Sequence, residues 1–134
     1  MIKPKEDSNP ITFSQQTIWI ENGIMYIQIA ENAVINIEEA KASSKYMKEV
    51  SKQPIPIIVY YPKGHTQSIE ARNFYAKDPE HIKLYTACAL LTDSPMGKVL
   101  ANFFMGFNKP LKPTRMFTDL EAAEKWIDSF KTEN

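Results

Sequence analysis

The chain has 134 residues and a single cysteine, a length that suits one domain with its own hydrophobic core and needs neither disulfides nor metal for stability. Sixteen basic residues balance sixteen acidic ones, so no global field draws in nucleic acid or an anionic membrane, and neither is expected as a partner. Cys88 alone can form neither an intrachain disulfide nor a multi-cysteine zinc site; it stands in an apolar run where a buried structural thiol is expected.

Residues 1–14, with Pro4, Pro10 and mixed charges, are expected to form a flexible tail ahead of a single domain over residues 15–134. They hold no apolar signal core, and no later window reaches the length of a membrane span, so a cytoplasmic protein without membrane insertion is expected. Two β-rich runs, 17–20 and 24–29, flank Glu21-Asn22-Gly23 and predict an antiparallel hairpin. Asn36, with Glu39 three positions on, predicts the capped start of a helix that carries Ala40, Met47 and Val50 inward and ends before Pro54. Residues 55–61 are apolar on both faces, the signature of a central parallel strand.

The loop from Pro62 to Thr66 leaves that strand, and Gln67 or Ser68 starts a helix through Lys77. Asp78-Pro79 breaks it and opens a second, short one, because aspartate at the cap followed by proline is a favoured start. Residues 86–91 predict a further strand, after which Ser94-Pro95 opens a helix with Met96, Val99, Leu100, Phe103, Phe104 and Phe107 on one face. A proline-rich connection leads to a short edge strand at 114–117. Thr118 and Glu121 then predict a capping box for a last helix that turns Leu120, Ala123, Trp126, Ile127 and Phe130 inward. The expected fold class is α/β: a small mixed sheet that opens with an antiparallel hairpin and continues in βαβα units, helices packed on the sheet.

Residues 89–95, Asn102-Phe103-Phe104, Lys109-Pro110 with Pro113 before Arg115-Met116-Phe117, and the run from Glu121 to Ile127 resemble the C-terminal half of SpoIIAA-like proteins. Those belong with the STAS domains of the anti-sigma-factor antagonist type. Trp19 with Gly23, Glu39-Ala40, the strand 56–60 and residues 68–72 agree more loosely. The resemblance implies a small sheet covered by helices and a role in binding or signalling. It also implies a switch at the start of the helix after the central strand, where that family carries a phosphorylated serine in an Asp-x-Ser-Gly-like loop. Here the loop has no aspartate and no Ser-Gly pair, leaving Thr66 and Ser68 as its hydroxyls. A phosphate at a helix N-terminus is favoured by free N–H groups and by the dipole. A hydroxyl at that place also serves simply as a helix cap.

The loops at the C-terminal edge of the parallel strands form the second expected site, since ligands of open α/β sheets bind there. Thr66, Ser68 and Ser94 stand at or near helix starts on this edge and are the candidate phosphorylation or anion-site residues, with Lys63 and His65 as cationic neighbours. Asp93 and Asp119 bring negative charge to the same edge. Tyr60, Tyr61, Phe74 and Phe104 are the candidate lining of a ligand pocket. The apolar stripe of the Phe103–Phe107 helix is wider than one core contact needs, so Phe103, Phe104 and Phe107, with Trp19 of the hairpin, are candidate contacts for a partner or a second copy.

His65 and His81 have no metal-ligand spacing, and no metal is expected. Gly64 and Gly97 build no phosphate-binding loop, so no cofactor is expected. Ser94 lacks the glycines of a nucleophile elbow, and no catalytic residue is named. The expected function is a non-enzymatic regulatory or interaction module of STAS type, acting on a protein partner or as a homodimer. The alternative is a binder or sensor of a small apolar or anionic ligand in the crevice at the C-terminal edge of the sheet.

Overall fold

The computed structural model describes residues 2–94 and 111–131. The predicted helix over residues 95–107, with Phe103, Phe104 and Phe107, lies outside the described residues. In chain order the elements are β1 (Ile11–Phe13), β2 (Gln16–Glu21), β3 (Ile24–Ile29), β4 (Val34–Ile35), α1 (Ile37–Val50), β5 (Ile55–Tyr61), β6 (Thr66–Gln67), α2 (Ile69–Lys77), α3 (Pro79–Ile82), β7 (Tyr85–Thr92), β8 (Thr114–Phe117) and α4 (Leu120–Asp128). The main sheet has the order β1-β2-β3-β5-β7-β8. Its first three strands form an antiparallel meander, and β3, β5, β7 and β8 run parallel. β4 and β6 pair with each other in a small parallel ladder of their own.

The expected hairpin forms on a two-residue turn, Asn22 and Gly23 both at positive φ, the geometry that matches strand twist. Residues 11–13, which the sequence reading assigns to a tail, instead form β1, whose Phe13 is buried and stacks on Tyr46 of α1 at 4.2 Å. Further upstream Ile2 is buried, and its N–H donates to Gln28 Oε1 at 2.9 Å. An aromatic ring and an isoleucine supply apolar area that a mixed-charge composition conceals.

Side chains alternate across the strands and divide the core in two. Ile18, Met25, Ile27, Ile57, Val59 and Cys88 share one cluster with Ala40 and Met47 of α1 and Ala71 of α2. Trp19, Tyr26, Ile58, Tyr60, Ala87, Ala89 and Leu91 share the other with Ala123 and Ile127 of α4. Ala87 and Ala89 are fully buried, and such small side chains let α4 lie close to the sheet. Pro56 sits within the central strand without an N–H to give, and the ladder between β5 and β7 shifts register there, between Ile55 and Ile57.

Each of the four described helices is capped by a side chain. Asn36 accepts from Glu39 N–H, Ser68 from Ala71, Asp78 from His81 and Asp119 from Ala122, all at 2.9–3.0 Å. The last cap corrects the expected Thr118–Glu121 box: the helix starts one residue later, and a carboxylate fits its positive end better than a hydroxyl.

Candidate functional site

The C-terminal ends of β3, β5, β7 and β8 lie along one edge of the sheet, and the loops leaving them carry most of the predicted site residues. Two of these loops are tied together. Thr66 N–H donates to Ala33 O at 2.8 Å, Ser68 N–H to Ile35 O at 3.0 Å and Asn32 N–H to Lys63 O at 3.3 Å, so the β4–β6 ladder fixes the start of α2 against the exit of β3. Gly64 makes the approach feasible: its φ is +76°, and a Cβ placed there would fall 2.1 Å from Asn32 Oδ1. Two-residue strands have no periodicity to read, and nothing in the sequence announced this ladder.

Within the loop, His65 stacks on Tyr61 at 4.6 Å, and its Nδ1 lies 3.0 Å from Pro62 O. Thr66 is exposed, whereas Ser68 is half-buried with its Oγ accepting from Ala71 N–H at 3.0 Å. The two hydroxyls therefore have different roles: Ser68 is the cap of α2, and Thr66 faces water. Arg72 Nη2 donates to Gln67 O at 3.3 Å.

Tyr60 belongs to the other face. Its hydroxyl donates to Asp93 Oδ2 at 2.5 Å, and burial followed by that carboxylate pushes the phenol up to about 12. Asp93 thus acts as the acceptor for Tyr60. Ser94 follows it at the end of the described segment.

The expected pocket is corrected. Tyr60 lies in the cluster under α4, while Tyr61 and Phe74 pack against the cluster under α1 and α2. Consecutive residues of a strand point to opposite faces, so these rings cannot line one cavity; Phe104 lies outside the described residues. Trp19 is corrected as well. It is 1% exposed and stacked on Tyr26 at 5.4 Å, a core residue and not a contact surface.

Two polar features went unread in the sequence. Glu39 accepts from Ser14 Oγ, from Gln15 Nε2 at 3.3 Å and from Gln16 Nε2 at 3.0 Å, and buried Ser43 joins Gln16 Oε1 at 2.7 Å to Tyr75 OH at 2.9 Å. Ser43 interrupting the inward stripe of α1 was the available signal. His81 is 3% exposed among Phe74, Tyr75 and Tyr85, ring centroids 5.3–5.7 Å away, and its Nδ1 has no partner among the described residues. Burial lowers its pKa to about 4. Among the described residues no group of histidine, cysteine or acidic side chains could hold a metal ion, and no helix is long and apolar enough to cross a membrane.

A solved structure from Shewanella loihica PV-4, an uncharacterized protein from the DUF3478 family with a SpoIIAA-like fold, is similar with a TM-score of 0.58 and 12% sequence identity. The likeness covers 84% of this chain and 91% of that one, and at such low identity it concerns the fold alone. A comparison with curated proteins finds no match. A family model, Domain of unknown function (DUF7793), matches residues 18–131. That match runs from within β2 through every described parallel strand to the end of the last described helix, and the chain belongs to the DUF7793 family.

Proposed function

We propose that this protein is a regulatory interaction module of STAS type, working in the cytoplasm through contact with a protein partner or a second copy, with no chemistry of its own. The contact surface is the β4–β6 ladder together with the start of α2. One observation carries this reading: Val34 of β4 and Ile69 of α2 are 62% and 71% exposed, two large apolar side chains left in water on segments that the ladder joins. A contiguous patch of exposed apolar area is a usual mark of a protein contact. Thr66, the register partner of Val34, supplies an exposed hydroxyl in the same place. A phosphate there would bring negative charge beside the N-terminus of α2 and alter the surface that a partner meets.

The test is purification of tagged protein from native cells, comparing wild type with Val34→Asp and Ile69→Asp and with Glu121→Gln on α4 as control. A co-purifying protein that both surface variants lose and the control retains is the expected result. An unchanged set of bound proteins in both surface variants contradicts the reading.

A further inference from the structure

The exposed face of α1 carries three lysines between Glu38 and Glu49. Lys41, Lys45 and Lys48 recur at steps of four and three residues, which places them in one row, and Lys52 follows just past the helix end. Ala40, Ser43 and Met47 occupy the buried side, and all four lysines are exposed. Lys41 to Lys48 span about 10 Å along the helix axis. The ion pairs among the described residues are Lys83–Glu80 and Lys131–Asp128, so none of the four lysines is in a contact ion pair there, although Glu38 and Glu49 lie alongside. A helix dipole explains a lysine in the last turn, as at Lys48, but it does not explain Lys41 in the second. In a chain whose net charge is zero, this is a local concentration of positive charge.

The row ends at an open cleft of about 300 Å³ between the end of α1 and the connection from α3 to β7. Lys48, Lys52 and Lys83 line it together with Pro54, Leu84 and Glu80. Charge therefore leads to a hollow with some apolar wall.

We infer that the exposed face of α1 is a docking surface for an acidic polypeptide segment of a partner protein, its carboxylates along the lysine row and an apolar side chain in the cleft. A polypeptide is favoured over nucleic acid because the row holds no arginine and no exposed aromatic ring for stacking, and Tyr46 is committed to Phe13. It is favoured over an anionic membrane because no large exposed apolar residue of α1 is available to insert. Glu80 in the cleft disfavours a continuous polyanion and suits a chain that carries N–H donors between its acids. This surface is separate from Val34 and Ile69, and either can fail without the other.

The experiment is a titration of the 15N-labelled full chain with a short glutamate-rich peptide carrying one central leucine, at low salt. Shifts at Lys41, Lys45, Lys48, Lys52 and Lys83 are expected, with Lys125 on the opposite side of the sheet unmoved. The combined Lys41→Gln, Lys45→Gln and Lys48→Gln variant, checked for an unchanged circular-dichroism spectrum, should bind about tenfold more weakly, at a few tenths to one kcal/mol per exposed charge pair. Should that variant lose its fold, the peptide with glutamine in place of glutamate gives the same comparison on wild type. Absence of binding, shifts scattered over Lys125 and Lys131, or equal affinity for the glutamine peptide overturns the inference. Tighter binding of a single-stranded oligonucleotide or of phosphatidylserine vesicles overturns it as well.

Discussion

His81 shows how one buried residue sets an acid response. Its folded pKa of about 4 lies below the ordinary 6.5, so the unfolded chain takes up the proton first as pH falls. The stability it contributes is present above 6.5 and is lost on the way down towards 4. From pH 6.5 to about pH 5 the loss should be about 1.5 kcal/mol, read from urea denaturation, and His81→Phe should flatten that slope. Cys88, pushed up to about 12 by burial, should resist alkylation in the folded protein and react only in denaturant. Trp19 separates a core role from an interface role: Trp19→Ala should cost about 3–5 kcal/mol of stability, where a contact residue at the surface would leave stability nearly unchanged.

At the scale of elements, the sequence made the long apolar runs and the caps readable. Residues 55–61 are apolar on both faces because helices cover both sides of β5, and Asn36, Ser68 and Asp78 stand where hydroxyl, amide or carboxylate is needed to accept a free N–H. Other features were hidden for physical reasons. β1 has three residues and β4 and β6 two each, too few for any period to register, and the pairing of β4 with β6 depends on two distant loops meeting. The pocket of tyrosines overlooked strand alternation: adjacent Tyr60 and Tyr61 point to opposite faces of β5, whichever face each takes. Caps and loops offer direct tests. Asp119→Ala should destabilise by about 1 kcal/mol in thermal or urea unfolding, whereas Thr118→Ala should have little effect. Gly64→Ala should cost about 1–2 kcal/mol from its φ of +76° alone and should raise hydrogen exchange at Thr66 and Ser68 N–H.

For the molecule as a whole, the proposed function gives the two sides of the sheet separate tasks. Under α4 lie Trp19, Tyr26 and the small pair Ala87 and Ala89, a face given over to packing. The side of α1 and α2 carries the β4–β6 ladder with Val34 and Ile69, the exposed hydroxyl of Thr66 and the lysine row. The proposed interaction role rests on such a partition, one face packed and the other open to a partner. The most direct measurement of that claim is photocrosslinking in native cells from a benzophenone side chain placed at Val34 or Ile69, with Glu121 of α4 as the comparison site. A contact surface on the ladder predicts the same crosslinked protein, whether a partner or a second copy, from both ladder positions and not from Glu121. Adducts no different from those at Glu121 would contradict it.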